Sequence, residues 1–228
     1  MSSLGLQMDS VRDYYNNAFA TGATWFKQPH ETTKRIVENL RKQQKPVGSQ
    51  IRVLDLGCGQ GRDAIYFAQQ AYKVTAVDFA DQGIAFLERK VREFGLEQDS
   101  VQTIVADISN RDLWGMQLQE YDAIVCYGAL HFLAPDTAKD VLLRMRRRTR
   151  PDGFVGVTDI LDTTSFDDEG SFKAYEYRDR KLFTRPSITA LYEGCDIIYW
   201  EEGLGKQHRH GDGPLTQHYN VSFVARKF

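Results

Sequence analysis

The chain has 228 residues, 42% apolar and 12% aromatic, which is enough for a sizeable buried core and excludes a disordered polymer. A net charge of −2 supplies no field to recruit nucleic acid or an anionic membrane, and no apolar run reaches membrane-spanning length. The opening MSSLGLQMDSVRDYY lacks a secretion-signal profile, and Cys58, Cys126 and Cys195 are too scattered for a disulfide framework or a metal spacing. A reducing, cytoplasmic setting is therefore expected, with no bound metal and no membrane or nucleic-acid partner.

The front of the chain reads as two helices. Residues 9–19 carry an aromatic stripe of Tyr14, Tyr15 and Phe19, and residues 31–44 repeat apolar side chains at Ile36, Val37 and Leu40. Between them lies a short loop with Trp25, Phe26 and Pro29, and Pro46, Gly48 and Ser49 close the second helix. Residues 1–48 are too few for a separate domain. They are read as a helical cap over a pocket bordered by Tyr14, Trp25, Phe26 and His30, with 49–228 forming the core of one domain spanning 1–228.

From residue 51 strands and helices alternate, the pattern of an α/β fold with a mostly parallel sheet and helices on both faces. Strands are predicted near 51–56, 73–77, 101–106, 121–126 and 154–158, helices near 62–71, 81–94 and 137–149, and a turn at Asp152-Gly153. Arg144, Arg146, Arg147, Arg148 and Arg150 read as a solvated helix face. The alternation then stops. The acidic stretch 159–171 reads as a lid or loop, and a helix follows near 186–193 with Pro186 in its first turn. Two strands near 195–201 and 218–224, separated by a stretch rich in Gly and His, form a closing pair.

The most informative stretch is VLDLGCGQGRD, residues 53–63. A buried strand runs into a loop with glycine at 57, 59 and 61, and helical spacing resumes at Arg62. Such a loop lets a ligand approach the backbone closely and opens onto a helix N-terminus. The spacing departs from the G-x-G-x-x-G of a dinucleotide site and lacks the Lys-Ser/Thr of a phosphate loop. The acidic Asp55 at its start suits a cationic ligand better than a pyrophosphate. Two later strands end alike, in VTAVD at Asp78 and TIVAD at Asp107. The Asp78 carboxylate is suited to ribose hydroxyls of a nucleoside lying across the strand ends.

D-x-G-x-G-x-G after an apolar strand resembles the first motif of the class I S-adenosylmethionine-dependent methyltransferases. Gly57-Cys-Gly-Gln-Gly-Arg62-Asp, then Leu191-Tyr-Glu-Gly194 and Gly205-Lys-Gln-His208-Arg209, resemble the tellurite-resistance methyltransferases in particular. The likeness covers nearly the whole chain. It departs in the longer N-terminus, the acidic 162–170 segment and His210, all bordering the expected acceptor side. The resemblance implies a Rossmann-like, mostly parallel seven-stranded sheet whose last strand is antiparallel. It implies S-adenosylmethionine as cofactor and S-adenosylhomocysteine as product. The cofactor would be held by Asp55, Gly57, Cys58, Gly59, Gly61, Arg62, Asp78, Phe79, Asp107, Ile108, Cys126 and Tyr127. It puts the family's His-Arg pair, assigned to an oxyanion, on His208 and Arg209.

A sulfonium methyl is already activated, so in-line approach matters more than a base. A soft nucleophile such as a thiolate attacks without proton transfer. An oxyanion needs cations, for which Arg209, His208, Arg62 and Arg180 are available, whereas a hydroxyl or amine needs a general base, His131 or His208. The sequence leaves these open. The reading is a methyltransferase, monomeric or homodimeric, acting on a small-molecule acceptor such as tellurite, selenite or a thiol. The other reading is a non-catalytic module that only binds the nucleoside.

Overall fold

In the computed structural model, residues 3–21, 28–43, 49–97, 99–166, 172–176, 182–209 and 215–228 are described. The sheet is built outward from β1 (Arg52–Leu56), whose residues 53–56 are all buried, as a strand covered on both faces must be. It pairs in parallel with β2 (Lys73–Asp78) on one side and β4 (Tyr121–Tyr127) on the other. β3 (Val101–Val105) continues the parallel sheet beyond β2, and β5 (Thr149–Phe166) continues it beyond β4. β9 (Leu215–Lys227) then runs antiparallel between β5 and β7 (Cys195–Leu204), giving the order β3-β2-β1-β4-β5-β9-β7. Two short strands lie off this path: β6 (Phe172–Glu176) on β5 and β8 (His208–Arg209) on β9. The seven-stranded, mostly parallel architecture expected from the sequence is present, with these additions.

Successive side chains of each strand point to opposite faces and feed two apolar layers. Leu54, Leu56, Ile124, Cys126, Val155 and Val157 pack toward α5 (Pro135–Arg148) and α6 (Arg185–Leu191). Val53, Val74, Ala123, Val125 and Phe154 pack toward α2 (Glu31–Lys42), α3 (Arg62–Ala68) and α4 (Asp81–Glu93). The two front helices have different places. α2 buries Ile36, Val37 and Leu40 in the second layer, with a Cβ built on Gly156 of β5 lying only 2.7 Å from Ile36 Cδ1. α1 (Ser3–Ala20) lies against α4, where Asn16 Oδ1 accepts the Gln82 backbone N–H at 3.2 Å. Trp25 and Phe26 lie outside the described residues, as do Arg180 and His210. Among the described residues no helix is long and apolar enough to cross a membrane.

Two sequence expectations are corrected. The fifth strand does not stop at Thr158 but runs to Phe166, pairing with β9 throughout and with β6 at its far end. β-branched residues recur at 158, 160, 163 and 164, which suits a strand, and Asp159 and Leu161 within it are 1% and 7% exposed. The acidic composition had pointed to solvent. The arginine run is not a wholly solvated face either. Arg144 is buried over the Trp114 ring, pairs with Asp140 and donates to the Ser109 carbonyl at 3.3 Å. Arg146 donates to the Leu191 carbonyl at 2.6 Å, and Arg147 remains exposed. Arg146, Arg147 and Arg148 stand in the last turn of α5 and complement its dipole, while Lys227 Nζ donates to the Arg146 carbonyl at 3.2 Å.

Candidate active site

Strand order reverses between β1 and β4, and in open α/β sheets ligands bind outside the carboxyl ends of the strands at such a switch point. A cavity of about 1070 Å³ opens there. One wall is made by the ends of β1, β2 and β3, the other by the ends of β4 and β5 with the first half of β9. α1 forms the roof through Val11, Tyr14, Tyr15 and Phe19.

The glycine loop is fixed to β2, with the Gly57 and Cys58 amides both donating to the Val77 carbonyl, at 2.8 and 3.0 Å. Gly57 has φ +67°, and a Cβ there would come within 2.6 Å of Ala129 Cβ, so the loops after β1 and β4 meet over a bare backbone. Gly61 has φ +77° and faces away from the cavity. A Cβ on it would lie 2.2 Å from Leu87 Cδ1, so this glycine lets α3 and α4 close behind the loop.

The three strand-end aspartates line the same cavity but are bonded differently. Asp78 accepts the Gly59 amide at 2.7 Å and the Ala80 amide at 2.8 Å, one on each oxygen, and so clamps the loop; burial still raises its carboxyl above the ordinary value. Asp107 accepts the Ser109 amide at 2.7 Å, with Ile108 buried beside it and Phe79 on the cavity wall. Asp55 is 2% exposed and its Oδ2 has no hydrogen-bond partner. Burial first, then the nearby charge of Asp63, pushes the Asp55 carboxyl well above the usual carboxylate range. A buried carboxylate with an open oxygen beside a glycine loop fits a cationic group of a ligand.

Arg62 and Asp63, directly after the loop, belong to a closed network. Asp63 Oδ1 accepts the His30 backbone N–H at 2.9 Å and the Thr33 hydroxyl at 2.7 Å. Its Oδ2 lies 2.8 Å from His30 Nδ1 and accepts from Arg62 Nε at 3.1 Å. Burial alone would raise the Asp63 carboxyl. The hydrogen bond and charge of His30, with Arg62 and Thr33, outweigh it and hold the carboxyl well below the usual range. Thr33 Oγ1 also lies 2.9 Å from the Tyr127 hydroxyl, whose ring sits 4.2 Å from His30. Burial, then the Asp63 charge, pushes that phenol well above its ordinary value and keeps it neutral.

On the opposite wall His131 Nδ1 lies 2.5 Å from Asp159 Oδ1, with the two side chains 4% and 1% exposed. Asp159 Oδ1 also accepts the Ile160 amide at 2.9 Å, while Oδ2 has no hydrogen-bond partner. The sequence reading missed Asp159. Its signal was there: VGVTD ends at Asp159 as VTAVD and TIVAD end at Asp78 and Asp107.

Cys58 lines the cavity, but its thiol is raised well above the ordinary value, mainly by burial. Cys126 does not line it. Its side chain is fully buried in the apolar layer under the sheet, because residue 126 has the parity of Ile124 while Tyr127 turns to the cavity side. The backbone of β8 pairs His208 with Thr216 and Arg209 with Leu215, and Thr216 is on the cavity wall. The side-chain expectations for His208 and Arg209 lie outside what is described.

A family model described as tellurite resistance protein TehB matches residues 18–214. The chain belongs to the TehB tellurite-resistance family. One relative within reach of it is the probable S-adenosyl-L-methionine-dependent methyltransferase TehB of Haemophilus influenzae strain KW20. It is 26% identical over 161 residues, covering 71% of this chain and 51% of that protein. The chain thus spans about half the length of this relative. The crystal structure of Haemophilus influenzae TehB superposes with a TM-score of 0.62 at 24% identity, over 95% of this chain and 67% of that one. A 1,6-didemethyltoxoflavin-N1-methyltransferase from Burkholderia thailandensis, solved with S-adenosylhomocysteine, gives 0.63 at 20% identity over 100% and 91%. At these identities the likeness to solved structures concerns the fold.

Proposed function

We propose that the chain is an S-adenosylmethionine-dependent methyltransferase acting on a small-molecule acceptor. The observation that carries this reading is the open Oδ2 of Asp55, buried at the mouth of the glycine loop. An ammonium group is the partner that such an oxygen lacks, and a pyrophosphate is not. Asp55 would hold the amino group of the cofactor, Asp78 the ribose hydroxyls, and Asp107 the adenine edge between Phe79 and Ile108. Gly57, Gly59 and Cys58 allow close approach, and Gly61 acts from behind by packing. Arg62 and Tyr127 act through the His30–Asp63 network that fixes the loop. Family membership and the names of relatives support the same reading.

When bound, the cofactor supplies an activated methyl group on a sulfonium. The residues of the chain then have three tasks: to hold the acceptor in line, to exclude water and to receive any proton released. Tyr14, Tyr15 and Phe19 on the roof exclude water. His131, with His208 and Arg209 on β8, forms the acceptor side of this proposal. A module that merely held a nucleoside would have no use for a histidine fixed by a buried carboxylate on that wall, which supports an enzyme. The same reading takes residues 1–228 as one methyltransferase domain served by its 1–48 segment.

A thermal-shift series with S-adenosylmethionine, S-adenosylhomocysteine and NAD tests the cofactor. Stabilisation by the two adenosyl ligands and not by NAD is expected, and a larger shift with NAD would overturn the reading.

A further inference from the structure

The cavity wall has a charge character that bears on the acceptor. Among the described residues lining it, Arg62 is the one side chain with a full positive charge, and it is engaged by Asp63 and His30. Carboxylates outnumber it several-fold, with Asp159, Glu201 and Glu202 on the acceptor side. The same cavity is also lined by Tyr14, Tyr15, Phe132 and Leu204, which suit a flat apolar body.

His131 is held in one orientation by Asp159. A carboxylate oxygen accepts only, so the 2.5 Å contact to Asp159 Oδ1 fixes the hydrogen on Nδ1 and leaves the basic lone pair on Nε2. Asp159 is held in turn by its bond to the Ile160 amide, so the carboxylate does not swing away. Leaving its Oδ2 buried and unpartnered is unfavourable in the resting protein. That arrangement becomes favourable when a cation forms beside it.

We propose that His131 and Asp159 form a base dyad and that the acceptor's nucleophile is an aromatic hydroxyl, deprotonated by His131 during transfer. The inference rests on the methyltransferase reading above and narrows its acceptor. The acceptor oxygen bonds to the methyl carbon as the methyl–sulfur bond breaks, and that bond's electron pair stays on sulfur. The hydroxyl proton passes to His131 Nε2. The positive charge lost at sulfur reappears on the imidazolium, where the Asp159 carboxylate offsets it. His131 is a catalytic residue in this scheme, and Asp159 is a positioning residue acting through it.

The test compares wild type, His131→Gln and Asp159→Asn on a series of phenols of decreasing pKa, with aniline and selenite as further arms. S-adenosylhomocysteine affinity is measured by calorimetry for all three proteins. Nitrogen NMR of the ligand-free protein reads the His131 tautomer. Affinity for S-adenosylhomocysteine should agree within about twofold, because the dyad is on the opposite wall. On unsubstituted phenol His131→Gln should lose about 10²–10⁴-fold in kcat. The loss should shrink steadily toward nitrophenols already ionised at the assay pH, a trend that a merely structural role would not produce. Asp159→Asn should show a smaller kcat loss at unchanged KM, and its His131 ring should leave the Nδ1–H tautomer seen in wild type. An equal loss across the phenol series, an Nε2–H tautomer in wild type, or turnover of aniline or selenite but of no phenol would overturn the dyad. Failure of wild type to bind S-adenosylhomocysteine would instead overturn the cofactor reading.

Discussion

Two histidine–carboxylate pairs stand on opposite walls of one cavity. His30–Asp63 is 2.8 Å long, His131–Asp159 is 2.5 Å, and both carboxylates are buried. They differ in what else the carboxylate does. Both oxygens of Asp63 are occupied, by a backbone amide, a hydroxyl, a guanidinium and the imidazole. Asp159 bonds through one oxygen only. A saturated carboxylate ties elements together: Asp63 fastens the start of α2 to the start of α3. An open one stores interaction for a charge that is not yet there. The strand-end aspartates repeat the contrast, with Asp78 closed on the glycine loop and Asp55 open. A His–Asp distance alone would have ranked the two pairs together.

The largest effect should come from the closed pair. Asp63→Ala leaves His30 and Arg62 without their partner in a partly buried site and should cost about 3 kcal/mol of stability in chemical denaturation. The pH dependence follows from the depressed Asp63 carboxyl. Its contribution is present above the unfolded carboxylate value and is lost as pH falls through the lower folded value. Asp63→Asn should therefore flatten the acid limb of the stability curve. If Asp63→Ala denatures like wild type, the distinction between closed and open carboxylates fails.

Asp78 should come next, because it is closed on the loop and also faces the cavity. Asp78→Ala should weaken S-adenosylhomocysteine binding by about 1.5–3 kcal/mol per lost hydrogen bond to the charged group, read by calorimetry. The glycine loop should also exchange its amide hydrogens faster, since the Gly59 amide loses its acceptor.

Asp55→Asn should act in the opposite direction on stability. Burial raises the Asp55 carboxyl, so the folded state binds its proton more tightly than the unfolded chain does. The resulting penalty is absent at acid pH, grows as pH rises from the unfolded value toward the folded one, and is complete above it. The ligand-free Asp55→Asn protein should be more stable than wild type near neutrality, by about 1–3 kcal/mol, and equal to it in acid. Thermal denaturation at the two pH values reads the difference. The smallest effect is expected for Asp159→Asn. Its second oxygen already has no partner, so denaturation should shift by about 1 kcal/mol or less while turnover falls.

Much of this was legible in the chain and some was not, for physical reasons. Buried parallel strands read as apolar runs, so β1, β2, β3 and β4 could be placed to within a residue or so. A glycine loop between strand and helix has few structural uses, so VLDLGCGQGRD located one wall. The other wall depends on β5 and β9, whose long antiparallel pairing is set by partners 49 to 72 residues away. TDILDTTSF mixes β-branched residues that suit a strand with acidic and polar ones that suit a loop, and only the distant partner decides between them. Hence Asp159 reads as the start of a lid or loop and its pairing with His131 is not legible in the chain, although His131 reads as a candidate base. The family resemblance places Cys126 among the cofactor residues, whereas its side-chain parity turns it into the core. The role of Arg144 likewise depends on the Trp114 ring, brought beneath it only by the fold.

In the proposed function the open Asp55 carboxylate awaits the cationic end of S-adenosylmethionine, and proton-linked calorimetry tests that pairing most directly. S-adenosylhomocysteine, which carries the same amino group, is titrated into wild type and Asp55→Asn between about pH 5 and 7, in buffers of different ionisation heat. The raised carboxyl must lose its proton to pair with an ammonium group, so wild type should release protons on binding and bind more tightly as pH rises. Asp55→Asn should bind weakly and show neither effect. Equal, pH-independent binding by the two proteins, or tighter binding of NAD than of either adenosyl ligand, would contradict the claim.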